Sequence, residues 1–161
     1  MRAMLGADDP LMQFADWTLL TGLRVEETLR LTRDCFNDDF TEVNVPGLKT
    51  VAAQATLPLS SAATVVAVYV FKGRNRGRMF HTVNYRQLMR KWATVRKQMG
   101  IEHPGATLKA FRRGAARQLT VGGMPLDMLR QYLRHESVST TMGYLRLVGG
   151  YDKNEMRKFL K

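Results

Sequence analysis

The sequence predicts an α+β domain, mainly α-helical with a small antiparallel β-sheet. Apolar residues recur at helical spacing through most of the 161-residue chain, as at Leu11, Met12, Phe14, Ala15, Leu19 and Leu20. One stretch, Phe36 to Leu59, changes to a period of about two. Between these segments stand glycine, proline and small hydroxyl residues, the usual punctuation of turns and caps. A chain of this length, 45% apolar, fits one domain and can bury roughly 70% of its unfolded surface without covalent staples.

Asp8, Asp9 and Pro10 signal a helix start, and Thr21-Gly22 its end, with Gly22 as C-cap. A second helix follows at once, turning Val25, Leu29 and Leu31 inward. In the period-two stretch, Phe40, Val43 and Val45 share one side, Pro46-Gly47 makes a turn, and Thr50 to Leu57 returns as a strand. Ser60-Ser61 caps Ala62 to Phe71. Its β-branched residues favour a strand, yet its length and position between caps predict a helix. Lys72 to Arg78 is a basic loop. A helix from Asn84 to Met99 buries Leu88, Trp92 and Val95 and leaves Arg86, Arg90, Arg96 and Lys97 outside. After Gly100 to Gly105 comes a helix with Ala110, Phe111, Ala115 and Leu119 as core candidates, stopped by Gly122-Gly123. Pro125 opens another, with Leu126, Leu129, Tyr132 and Leu133 inward. Gly149-Gly150 reads as a hinge before a short basic helix from Asp152 to Lys161.

The single cysteine, Cys35, excludes an intrachain disulfide framework and a multi-cysteine metal site, and three histidines leave little for zinc. A reducing, cytosolic setting fits. The longest uncharged run, Thr50 to Phe71, is interrupted by Gln54, Pro58, Ser60 and Ser61 and makes a poor membrane span. Met1 to Pro10 lacks the regions of a signal peptide. Against 14 acidic residues stand 25 Lys and Arg, a net charge of +11. Such a field attracts polyanions and points to DNA or RNA, the bland reading being a protein that is merely basic.

Chemistry concentrates at Leu133 to Leu145, where His135 and Tyr144 stand nine residues apart around Ser137, Ser139, Thr140 and Thr141. These residues read as two helices joined by a short link. Tyr144 is either a reactive phenol or a half-buried core residue, and His135 either a site group or a helix-end residue favoured by the dipole. Arg24 and Glu27, at i and i+3, are either a surface ion pair or an arginine aimed at phosphate and oriented by a carboxylate. Lys109 and Arg112, with Arg113 and Arg117 on the same helix, either face one anion or form a solvated exterior. Lys49 at the strand entrance is either a site lysine or an edge guard. Arg74, Arg76 and Arg78 form a solvated turn or a phosphate-contacting one.

Taken in order, Thr21-Gly22-Leu23-Arg24-Val25-Glu26-Glu27, a lysine on a small sheet before Leu57-Pro58-Leu59, Lys109 to Arg112, and His135 followed by Tyr144 resemble the catalytic domain of tyrosine recombinases, the phage integrase family. The resemblance spans nearly the whole chain and implies the fold of the DNA breaking-rejoining enzymes. It departs in two places. Arg134 stands where the family usually has glycine between leucine and histidine, and the lysine hairpin continues Thr-Val-Ala-Ala-Gln-Ala after Lys49.

The resemblance implies that Tyr144 attacks a DNA phosphodiester to form a 3′-phosphotyrosyl link. Arg24 and Arg112 clamp the phosphoryl oxygens, and His135 and Lys109 add donors. Lys49 protonates the leaving 5′ oxygen, with Lys72 a weaker candidate, while Glu27 orients its neighbours. Arg74, Arg76, Arg78, Arg113 and Arg134 are expected DNA contacts. Neither metal nor other cofactor is expected, because guanidinium groups supply the positive charge. The expected partners are double-stranded DNA and further copies of the chain in a tetrameric synapse, or a monomer for the isolated domain, with no membrane. The expected setting is the cytoplasm, with a bacterial, archaeal or phage origin. Residues 1–161 are expected to form one catalytic domain without the family's N-terminal core-binding domain, with residues 149–161 an exchange segment between protomers. Related alternatives are a type IB topoisomerase, a telomere resolvase and a catalytically dead DNA-binding module.

Overall fold

The computed structural model describes Met1, residues 4–47 and residues 55–135. The chain divides into two compact units, Met1–Ala115 and Ala116–Lys161. Among the described residues the mainly helical architecture with a small antiparallel sheet is as the sequence predicts.

In the first unit, helix α1 (Pro10–Thr21) starts where Asp9 Oδ1 accepts from the Leu11 N–H at 2.9 Å, with Pro10 in the first turn. It ends at Gly22, whose φ of 65° closes the helix through an N–H donated to Thr18 O. Helix α2 (Val25–Arg30) buries Val25, Glu27 and Thr28. Leu29 is only half-buried, and the buried Leu31 lies one residue past the helix.

Strands β1 (Glu42–Val45) and β2 (Ala55–Pro58) pair antiparallel, Val43 opposite Leu57 and Val45 opposite Ala55. Val43 and Val45 face the core as expected. Phe40 does not belong to the strand. It has a φ of 56°, in a turn where Asp39 accepts from the Thr41 N–H and hydroxyl and Asn37 Oδ1 accepts from the Glu42 N–H. Short polar side chains there offer the backbone partners that compete with a ladder. The Phe40 ring still packs on Phe36 and Phe71. Lys49, the chain following Gly47 and the first part of the expected returning strand, through Gln54, lie outside the described residues.

Helix α3 (Ser61–Phe71) settles the strand-or-helix choice. Ser60 Oγ caps it by accepting from the Ala63 N–H, and Ala63, Ala67, Val70 and Phe71 make a buried stripe at helical spacing, on a helix packed against α1. Helix α4 (Tyr85–Gln98) is capped by Asn84 and buries Leu88, Trp92 and Val95, as the periodicity predicts. Aromatic edges tie these elements together, Trp17 and Phe71 meeting Phe36, and Phe14 meeting Phe80 and Phe111. Helix α5 (Lys109–Val121) begins in the first unit and continues into the second.

In the second unit, helix α6 (Leu126–Leu133) follows Pro125, and Ala116, Leu129 and Leu133 form a small core bordered by Leu119, Met124 and Tyr132. Burial pushes the Tyr132 phenol above its ordinary pKa, the Arg134 charge partly opposing it. The expected C-terminal helix and hinge lie outside the described residues. Among the described residues, no helix is long and apolar enough to cross a membrane.

Candidate active site

The Thr21-Gly22-Leu23-Arg24 segment joins α1 to α2, and each residue has a physical task. Thr21 Oγ1 donates back to Trp17 O at 2.8 Å, Gly22 adopts the left-handed conformation, and Leu23 is fully buried. Arg24, in extended conformation, becomes the N-cap residue of α2. An arginine cannot accept a hydrogen bond, so it caps nothing with its own side chain. Glu27 caps from the other direction, its Oε2 accepting from the Arg24 N–H at 2.7 Å.

The other oxygen of the same carboxylate, Oε1, accepts from Arg24 Nη1 at 2.7 Å. On α5, Arg112 Nη1 donates to Gly22 O at 2.8 Å and lies 4.0 Å from Glu27 Oε2. Glu27 is 4% exposed and Arg112 9%. Two guanidinium groups from distant parts of the sequence therefore converge on one buried carboxylate, which offsets the cost of burying Arg112 beside the half-exposed Arg24. A third charge, Lys109, stands one turn before Arg112 and is exposed. Of the expected pair on α5, Lys109 keeps the exterior position and Arg112 does not.

The loop before α5 is held by carbonyl acceptors. Trp92 Nε1 and Arg96 Nη1 both donate to Ala106 O, at 2.7 and 2.9 Å. Arg113 Nη2 donates to Gly105 O. Arg113, expected as a DNA contact, thus braces the loop that delivers Lys109 and Arg112. Arg74 is committed in the same way. Its guanidinium donates to the carbonyls of Val70, Phe71, Arg78 and Met79 and lies 5.2 Å from the Phe71 ring centroid. It closes the basic loop instead of projecting from it, while Arg76 and Arg78 are exposed. Lys72, the weaker candidate for the acid, donates to Asp8 Oδ1 at 2.5 Å.

In the second unit, Arg134 is the C-cap of α6 with a φ of 54°, its N–H donating to Arg130 O and Gln131 O and its Nη1 to Tyr132 O at 3.3 Å. That backbone region favours glycine, which gives a physical reason for the family's usual residue. Arg134, expected on DNA, directs a charge to the carbonyl end of a helix, where the dipole favours it. His135 follows, 8% exposed, its N–H donating to Arg130 O at 3.0 Å. Lys49 and Tyr144 lie outside the described residues. Sequence reading missed one contributor, the Gly22 carbonyl. The glycine C-cap was the available signal, since a chain reversal there exposes a carbonyl to whatever packs beside it.

The family model described as phage integrase family matches residues 5–148. The chain belongs to that family. Solved structures with similar folds include the Tn1549 transposon integrase with circular intermediate DNA, at 15% identity and TM-score 0.72 over 99% of this chain. The XerA recombinase aligns at 17% identity and TM-score 0.70 over 95% of the chain. A lambda integrase dimer bound to a core site aligns at 15% identity and TM-score 0.71 over 91%. This chain spans 61%, 56% and 45% of those three chains, less than two thirds of each. No curated protein sequence matches it. The phage integrase family assignment and the mainly helical fold agree with the resemblance carried by the Arg24, Arg112 and His135 segments.

Proposed function

We propose that the chain cleaves and rejoins DNA strands through a 3′-phosphotyrosyl intermediate, as the catalytic part of an integrase-type site-specific recombinase. The observation that carries this reading is the convergence of Arg24 and Arg112 on Glu27, in a chain of the phage integrase family. Planar guanidinium groups offer paired donors to phosphoryl oxygens, and fixing them in advance lowers the reorganisation needed as negative charge builds on phosphorus.

Tyr144 is the nucleophile. Its phenolic oxygen bonds to phosphorus, the bond to the 5′ oxygen breaks, and Lys49 gives that oxygen its proton. A phenol has an ordinary pKa near 10, so cations beside it favour the phenolate that attacks. Arg24 and Arg112 hold the nonbridging oxygens, with Lys109 and His135 as further donors. The phosphotyrosyl link conserves the bond energy, so rejoining by a 5′-hydroxyl requires no nucleotide.

Solved relatives in the fold are described with circular intermediate DNA, with a difH substrate and with a core site. These descriptions support double-stranded DNA as the partner here and assembly of several copies on it. The exposed Arg76 and Arg78 and the net charge of +11 favour phosphate contacts that weaken as salt rises. The place of action is the cytoplasm of a bacterial or archaeal cell, including one carrying a phage.

The polarity of the break tests the reading. On a nicked duplex that loses its downstream fragment after cleavage, the protein is expected on the 3′ end, leaving a 5′-hydroxyl that a polynucleotide kinase can label. Protein on the 5′ end, or a break that carries no protein, contradicts it.

A further inference from the structure

The first turn of α2 carries two carboxylates with different fates. Glu27 is buried and engaged by Arg24. Glu26 is exposed, and among the described residues its carboxylate has neither a hydrogen-bond nor an ion-pair partner. It lines a cleft of about 230 Å³ together with Val25, Tyr85, Met89, Leu108 and Lys109. That volume is below the roughly 300–1,000 Å³ of sites enclosing a drug-sized ligand and leaves room for one ring-sized group. Val25 and Leu108 are buried and Met89 is half-buried, while Tyr85, Lys109 and Glu26 itself are exposed, and Thr107 adds a hydroxyl to the lining.

A carboxylate beside Lys109, with no partner among the described residues, is an odd neighbour for a phosphate. It repels the DNA backbone, so a favourable contact with a duplex requires a donor on a base edge. In the major groove the exocyclic N4 amine of cytosine is the donor that a carboxylate matches.

We propose that Glu26 is a specificity-determining residue, accepting from cytosine N4 at a base pair beside the phosphate that Arg24, Lys109 and Arg112 engage. This rests on the phosphoryl-transfer reading for the position of the phosphate. Charge repulsion against other base edges makes the carboxylate a discriminator as well as a contact.

The test uses nicked duplexes randomised around the nick, selected separately by binding to the full chain and by covalent capture. Wild type, Glu26→Gln and Glu26→Ala are run in parallel, and the recovered DNA is sequenced. Wild type is expected to enrich cytosine at one fixed position by about fivefold or more, the discrimination of one good base contact. Glu26→Gln is expected to move the preference toward adenine, whose N7 and N6 match a carboxamide, and Glu26→Ala to flatten it. Identical base frequencies from all three proteins overturn the inference and, if adducts still form, leave strand cleavage standing. A Glu26-dependent preference in the bound pool without covalent capture supports the inference and counts against strand cleavage. No recoverable DNA in either selection overturns both.

Discussion

Glu27→Gln keeps the shape of the side chain and removes its charge. The carboxylate accepts from Arg24 twice at 2.7 Å, once from Nη1 and once from the backbone N–H, and lies 4.0 Å from Arg112 Nη1. A carboxamide has one acceptor oxygen, and its NH2 faces a donor, so one of the two short bonds is lost. Hydrogen bonds to charged groups contribute about 1.5–3 kcal/mol, and breaking a fully buried ion pair costs about 3–5 kcal/mol. The Arg24 side chain is 35% exposed, so water recovers part of the loss. The expected destabilisation is therefore about 2 kcal/mol, near the lower of those ranges. For a chain of this size it lowers Tm by about 4–8 °C. Urea and thermal unfolding of wild type, Glu27→Gln and the exposed control Glu26→Gln measure it, the control staying within about 0.5 kcal/mol. If Glu27→Gln unfolds at the wild-type midpoint, the carboxylate does not hold the two arginines in place.

Gly22→Ala forces a Cβ into a φ of 65° and shifts the carbonyl that receives Arg112. A loss of about 1–2 kcal/mol in urea unfolding is expected, and wild-type stability would show that the turn relaxes freely. Arg74→Ala removes a group bonded to four carbonyls and should cost about 2 kcal/mol. Arg76→Ala should leave stability within about 0.5 kcal/mol and reduce the salt slope of DNA binding by about one. The opposite pattern in the two titrations contradicts these assignments. The Lys72 hydrogen bond, and then that of Tyr69, holds the Asp8 carboxyl below its ordinary pKa. Its contribution to stability is therefore present above about pH 4 and lost as pH falls through the lowered value. Asp8→Asn should flatten that part of the acid limb, and superimposable pH profiles would refute it.

Much of the fold was legible because local signals agreed. Asp9-Pro10, Thr21-Gly22, Ser60 and Asn84 mark helix ends by hydrogen-bond chemistry that depends on few neighbours. Phe40 was misplaced because its apolar side chain fits a period of two while Asn37 and Asp39 bend the backbone around it. At the site, Arg24 with Glu27 was readable from an i, i+3 spacing and the family resemblance. The burial of Arg112 was not, since it depends on a carbonyl 90 residues away. The same limit applies to Arg74, Arg96 and Arg113. An arginine that serves phosphate and one that satisfies backbone carbonyls have the same side chain, and tertiary placement decides between them.

The most direct measurement is covalent capture on nicked suicide duplexes, with Tyr144→Phe beside wild type and both proteins shown to bind the same DNA. A denaturation-resistant protein–DNA species in wild type, absent in Tyr144→Phe at equal DNA occupancy, is the expected result. An adduct of undiminished yield in Tyr144→Phe would contradict the account.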